Sequence, residues 1–218
     1  MRPAPAELYA DGLARGRLYL RTEDGTRRQL PLEDWLGPLE LADAEVLDRA
    51  CGPVLDVGCG PGRHVLALAR RGVLAVGVDV TPAAVRYARA RGASVVLASV
   101  FAPIPGAGRW RTALLLDGNI GIGGRPVELL CRLRGVLRSD GWVLCELDAR
   151  GSPTRSELMA LEDEAGIRSA WFAWARVSVD GIERVAARAA MSVEEVWERN
   201  GRWFAQLAPA HHTVSNSS

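Results

Sequence analysis

The sequence predicts one α/β domain built on a doubly wound, mostly parallel sheet that a C-terminal antiparallel hairpin closes. Three observations predict it. From Val54 onward, short apolar runs alternate with amphipathic segments, which implies right-handed β-α-β crossovers and a parallel sheet. The runs are almost continuously apolar, as strands are when helices cover both faces. Near the end, Asn200-Gly201 separates two further strand-like runs, and Asn-Gly suits the two positive-φ positions of a tight hairpin turn.

The elements follow in order. Residues 1–50 read as a cap segment. Within them, 17–21 and 27–32 flank Glu23-Asp24-Gly25-Thr26 as a small hairpin, and a helix runs from about 39 to 49. The core spans 51–208. It opens with a strand at 54–57 and a helix at 63–70, whose apolar stripe is Val65, Leu66, Leu68 and Ala69. A strand at 73–78 ends at Asp79. Thr81-Pro82 pairs an N-cap residue with a proline at the first helical position, which starts a helix to residue 90. Strands are expected at 94–98, 112–116 and 142–147, with a helix at 126–137 stopped near Ser139-Asp140-Gly141. Residues 150–178 read as irregular. A helix at 181–190 precedes the hairpin of 193–199 and 202–207. The polar tail, 209–218, is expected to be flexible, with His211 and His212 as tail residues rather than ligands.

Bulk properties narrow the function classes. The chain has 218 residues, 48% of them hydrophobic, enough for one core. Its 27 basic and 26 acidic side chains nearly cancel, so no general attraction to nucleic acid or an acidic membrane is expected. Every basic residue is Arg, a composition that fits a GC-rich bacterial gene. Cys51, Cys59, Cys131 and Cys145 show neither metal spacing nor a disulfide framework, and read as buried, reduced thiols. With no apolar leader and no apolar run long enough to span a bilayer, a cytoplasmic protein is expected. No heptad pattern announces an oligomer.

The run VLDVGCGPG, 54–62, carries the functional signal. Its glycines, Gly58, Gly60 and Gly62, are spaced more tightly than the G-x-G-x-x-G of dinucleotide-binding turns. Asp56 precedes them, where a carboxylate would repel a pyrophosphate on the helix N-terminus. It would instead suit a ligand with an ammonium or sulfonium group. Asp79, at the end of the second core strand, can accept hydrogen bonds from both ribose hydroxyls of an adenosine. An adenosine ligand carrying positive charge rather than phosphates points to S-adenosylmethionine.

With GVDV (77–80) and LLLDGN (114–119), the turn resembles the class I S-adenosylmethionine-dependent methyltransferases, a Rossmann-like family whose last two strands also form a hairpin. The resemblance covers roughly residues 40–207. It implies S-adenosylmethionine as cofactor, held by Asp56, Gly58, Cys59, Gly60, Gly62, Asp79, Val80, Ser99, Val100 and Asp117. Val80 would pack on the adenine. Ser99 stands where the family often has an acid for the adenine amino group. Asp117 is also the candidate catalytic residue. Asn119, Tyr9, Trp35, Trp171 and Trp174 are candidates to line an acceptor site. His64 reads as a polar helix-start residue, with a catalytic role as the alternative. No metal is expected.

The implied activity is methyl transfer to O, N or C of a small-molecule metabolite by in-line displacement. The competing reading is a non-catalytic S-adenosylmethionine-binding partner protein, which needs no room for a second ligand. A nicotinamide-dependent oxidoreductase fits the turn spacing and Asp56 less well.

Overall fold

The computed structural model describes residues 2–210, so His211, His212 and most of the expected tail lie outside the described residues. The chain opens with helix α1 (Pro5–Arg15), hairpin strands β1 (Tyr19–Thr22) and β2 (Arg27–Gln29), and helices α2 (Leu32–Leu36) and α3 (Leu41–Asp48). The core follows as β3 (Val54–Val57), α4 (Arg63–Arg70), β4 (Ala75–Asp79), α5 (Pro82–Ala90), β5 (Val95–Leu97), β6 (Trp110–Leu115), α6 (Pro126–Val136) and β7 (Leu137–Leu147). Then come β8 (Arg155–Glu162), β9 (Phe172–Arg176), α7 (Ile182–Arg188), β10 (Met191–Arg199) and β11 (Arg202–Pro209). No described helix is long and apolar enough to cross a membrane.

Seven strands form the main sheet in the order β10-β11-β7-β6-β3-β4-β5. β3, β4, β5, β6 and β7 pair in parallel, and β11 joins β7 antiparallel with Trp203 opposite Leu147. Each face buries its own apolar layer. Leu55, Val57 and Leu115 pack with Leu129 of α6 and Ile182 of α7. Val54 and Leu114 pack with Val46 of α3, Val65 of α4 and Val85 of α5. This two-sided burial is why the core strands lack polar alternation. Asn200 and Gly201 both take positive φ, 50° and 77°, in the closing turn.

Three expectations are corrected. Residues 150–178 are not irregular: β8 and β9 pair antiparallel and join the N-terminal hairpin in a second sheet, β2-β1-β8-β9. The cap therefore draws two of its four strands from within the span read as core. Neither strand announces itself, because β8 is polar in its first half and apolar in its second, which hides the two-residue period. Next, no loop separates α6 from the fifth core strand. β7 starts at Leu137, opposite Trp110, and a register shift follows before Thr112 pairs with Trp142. Finally, Cys59 and Cys145 are buried, but Cys51 and Cys131 are exposed.

Glu162 locks the cap sheet. This buried carboxylate at the end of β8 accepts two hydrogen bonds from Arg21 of β1, both 2.9 Å, and one from Arg168 at 2.7 Å. Arg27 of β2 lies 2.8 Å away. The Arg21 hydrogen bonds, followed by Arg168, hold its pKa down at about 2. Glu162→Gln leaves three guanidinium groups facing a neutral amide. It is expected to cost about 1–3 kcal/mol, the range for leaving buried polar partners unsatisfied, measured by urea unfolding. An unchanged midpoint would remove Glu162 from this role.

Candidate functional site

A cavity of about 1040 Å³ lies between the two sheets. Its floor is the carboxyl end of the main sheet: Gly58–Pro61 after β3, Asp79–Thr81 after β4, Asp117–Asn119 after β6, and Glu146–Asp148 at the end of β7. Strand order reverses between β3 and β6, and ligands of open α/β sheets bind at such switch points. The roof is the cap, with Tyr9 of α1, Trp35 of α2, Met159 of β8, and Phe172 and Trp174 of β9.

The glycine turn is shaped by its neighbours. Gly58 and Cys59 donate their amides to Val78 O, at 2.8 and 3.2 Å. Gly58 has φ +69°, and a Cβ there would lie 2.9 Å from Asn119 Nδ2. That amide donates to Val57 O at 2.9 Å and Gly58 O at 3.0 Å, bracing the turn from the β6 side. Asp79 Oδ2 accepts the Gly60 amide at 2.8 Å, and Oδ1 accepts the Thr81 amide at 2.7 Å. Thr81 itself makes no side-chain cap bond. Burial raises the Asp79 pKa.

Beneath the turn sits an ionic cluster. Arg63, the first residue of α4, bridges Asp43 of α3 and Asp117, donating through Nη2 to Asp117 Oδ1 at 2.8 Å. Arg202, first in β11, donates to both Glu146 oxygens at 2.9 and 2.8 Å and to Asp43 Oδ1 at 2.8 Å. The Asp117 amide donates to Glu146 Oε2 at 2.8 Å. Asp117 has φ +56°, a region costly for a residue with a side chain and characteristic of functional sites. His64 stands between Asp43 and Asp56, 3.7 Å from each, beyond hydrogen-bond reach. Burial pushes its pKa down, but the two carboxylates outweigh that and raise it to about 9.

The structure places the expected residues unequally. Gly58, Cys59, Gly60, Asp79, Val80, Val100, Asp117 and Asn119 line the cavity, as do Tyr9, Trp35 and Trp174. Asp56, Gly62, Ser99 and Trp171 are not among its lining residues. Asp56 shares the α4 face of β3 with Val54, so its carboxylate faces His64. Gly62 packs toward Ala88 and Ala93. Ser99 Oγ accepts the Phe101 amide at 3.2 Å. Alternation puts Phe172 and Trp174 on one side, their rings 6.1 Å apart, and Trp171 on the other.

Sequence reasoning missed Asp43, Arg63, Glu146 and Arg202 as members of one cluster. Arg63 had a usable signal, as the first residue after the glycine turn. Arg202 had none locally, since it meets Glu146 only through the pairing of β11 with β7.

Residues 54–141 match the sequence profile of a family described as a methyltransferase domain. No curated protein matches the chain by sequence. Among solved structures, the chain resembles an S-adenosylmethionine-dependent methyltransferase from Bacteroides fragilis in complex with S-adenosylhomocysteine. The identity is 23%, with 96% of each chain covered and a TM-score of 0.78. It is also similar to the Burkholderia thailandensis 1,6-didemethyltoxoflavin-N1-methyltransferase, at 16% identity over 97% of this chain and 92% of that one, TM-score 0.60. A third is an amino pentose methyltransferase from Micromonospora echinaspora, at 19% identity over 78% and 90%, TM-score 0.57. Residues 54–141 thus match a methyltransferase domain profile, within a chain that has the fold of S-adenosylmethionine-dependent methyltransferases.

Proposed function

We propose that this chain transfers the methyl group of S-adenosylmethionine to a small-molecule acceptor held under the cap sheet. One observation carries the reading: a single cavity joins the glycine turn and Asp79 to an aromatic roof. The residues present fit the cofactor. Gly60 has φ +49°, and the nearest atom to a Cβ there would be Tyr9 Oη at 3.2 Å, so the turn offers bare backbone to a ligand. Each Asp79 oxygen accepts one amide and keeps a lone pair for a ribose hydroxyl. Val80 is 60% exposed beside Asp79, an apolar surface for the adenine. Asp117 would receive the methionine ammonium.

The extent of the cavity favours catalysis over cofactor binding alone: beyond the glycine turn and Asp79 it continues to Trp35, Phe172 and Trp174, where an acceptor would lie. The toxoflavin and amino pentose enzymes, named for small-molecule substrates, support the same reading.

When bound, S-adenosylmethionine supplies an electrophilic methyl carbon and its own leaving group. What falls to the protein is positioning and exclusion of water. Asp79 and the glycine turn fix the cofactor, and the apolar roof keeps water from the reacting centre. His64 is a positioning residue, because it is buried between two carboxylates that keep it protonated at neutral pH.

Two outcomes test these roles. In calorimetric titrations, S-adenosylmethionine is expected to bind and NAD to show no binding. Asp79→Ala should weaken S-adenosylmethionine by about 10- to 100-fold, as for one or two lost charged hydrogen bonds. Preferential binding of NAD, or an unaffected Asp79→Ala, would sink the proposal. The second outcome concerns His64. Its pKa rises from 6.5 unfolded to about 9 folded, so its stabilisation is complete below pH 6.5 and lost as pH passes through about 9. Wild type should lose on the order of 1–3 kcal/mol across that window relative to His64→Gln, measured by urea unfolding. Parallel pH profiles for the two proteins would show that His64 carries no such charge.

A further inference from the structure

We infer that buried excess negative charge at the floor of this cavity makes the site bind the cationic S-adenosylmethionine more tightly than its neutral-sulfur product, S-adenosylhomocysteine. The inference rests on the methyl-transfer reading above and extends it to cofactor exchange. The two ligands share adenosine, ammonium and carboxylate, and differ only by one methyl group and the positive charge it confers on sulfur. A site that recognises the shared parts alone cannot separate them by charge. This site has a further means.

The charges on the floor do not balance. Asp117 and Glu146 on the floor, with Asp43 and Asp56 buried behind it, stand against Arg63, Arg202 and His64. Even with His64 protonated, the carboxylates exceed the cations by one. Asp79, bonded only to backbone amides through its hydrogen bonds, adds a second uncompensated charge. Half-exposed Glu40, 3.3 Å from Arg202, adds a third. Elsewhere around the cavity the charges cancel. Asp148 and Arg176 form a two-bond pair at 2.9 and 2.8 Å, while Arg28 and Asp34 contribute one charge of each sign. The chain as a whole carries +1, so the floor runs against the average.

The cluster leaves buried polar atoms of both signs unpaired: Asp56, 1% exposed, has no hydrogen-bond partner at Oδ2, and neither do Arg63 Nε and His64 Nε2. Burial makes the imbalance effective, since solvent screens buried charges far less than exposed ones. Methyl transfer then removes the favoured charge. The acceptor lone pair bonds to the methyl carbon, the carbon–sulfur bond breaks with its electron pair going to sulfur, and the positive charge passes to the acceptor, which can release it as a proton. The thioether left behind has lost its attraction to the floor.

The test is calorimetric titration of the full chain with S-adenosylmethionine, S-adenosylhomocysteine and sinefungin, in which an amine replaces the methylated sulfur centre. S-adenosylmethionine and sinefungin are expected to bind at least about tenfold more tightly than S-adenosylhomocysteine. Glu146→Gln should narrow that ratio by weakening the two ligands with the extra positive charge more than S-adenosylhomocysteine. His64→Gln, which removes a cation, should widen it. If Glu146→Gln does not fold, the wild-type ratio and His64→Gln decide. Equal or tighter binding of S-adenosylhomocysteine to the wild type would overturn the inference and leave the methyl-transfer reading standing. Binding of none of the three would overturn both.

Discussion

The bridge that Arg63 makes between Asp43 and Asp117 is the constraint on which the site depends. A guanidinium buried to this degree is costly unless carboxylates meet it, and here they come from two distant parts of the chain. Asp43 belongs to α3, which leads from the cap into the core. Asp117 follows the fourth core strand, β6. Arg63 starts the helix that the glycine turn releases. One side chain therefore registers three elements that the sheet alone would leave independent at this end. Removing it would leave the fully buried Asp43 and the part-buried Asp117 to Arg202 alone among guanidinium partners, so the penalty would exceed that of one exposed ion pair. Arg202 repeats the arrangement from the closing hairpin, meeting Asp43 and Glu146. The antiparallel last strand thereby becomes part of the site as well as the edge of the core.

The glycine turn depends on the same end of the sheet. It is held from one side by Val78 O and Asp79, on β4, and from the other by Asn119. Asn119 serves as a strut as well as a lining residue, because its amide hydrogens are spent on the carbonyls of Val57 and Gly58. The backbone that faces the ligand is thus fixed from both sides. That suits a reaction whose demands on the protein are geometric, since positioning requires supports that do not relax.

Features governed by local physics were legible in the sequence. The helix boundaries at 63–70 and 82–90 followed from a glycine turn and from Thr81-Pro82, signals within a few residues of the elements they set. The Asn200-Gly201 turn was equally local. The cap was less so. Its hairpin was readable, but β8 carried no clean alternation, and its partner strand lies far away, with Tyr19 opposite Glu162. The ionic cluster was the least legible part. It gathers residues from α3, β3, α4, the turn after β6, β7 and β11, and no spacing rule connects these elements. Asp56 shows the difference within one motif. Its presence before the glycines was plain, yet its side chain faces His64 because strand alternation puts it on the α4 face of the sheet.

This division also explains why the cofactor is easier to read than the acceptor. Cofactor recognition uses backbone turns and strand ends, whose residue types are dictated by φ, by close approach and by two hydroxyls on one ribose. In the proposed reading, acceptor recognition falls to the roof, where Trp35, Phe172 and Trp174 supply an apolar wall. Many side chains meet that demand, so the roof leaves little imprint on the sequence. The join between the halves is narrower. Asp148, just beyond β7, holds Arg176 at the end of β9 through two hydrogen bonds, and the backbones of Asp148 and Val177 also pair. The roof is thereby tied to the strand that carries Glu146. Its aromatic side chains are held above the charged floor by this pair and by the bridge between Ile122 and Trp174, contacts that do not use the aromatic rings, so the rings could be exchanged without undoing the tie to the seat beneath them.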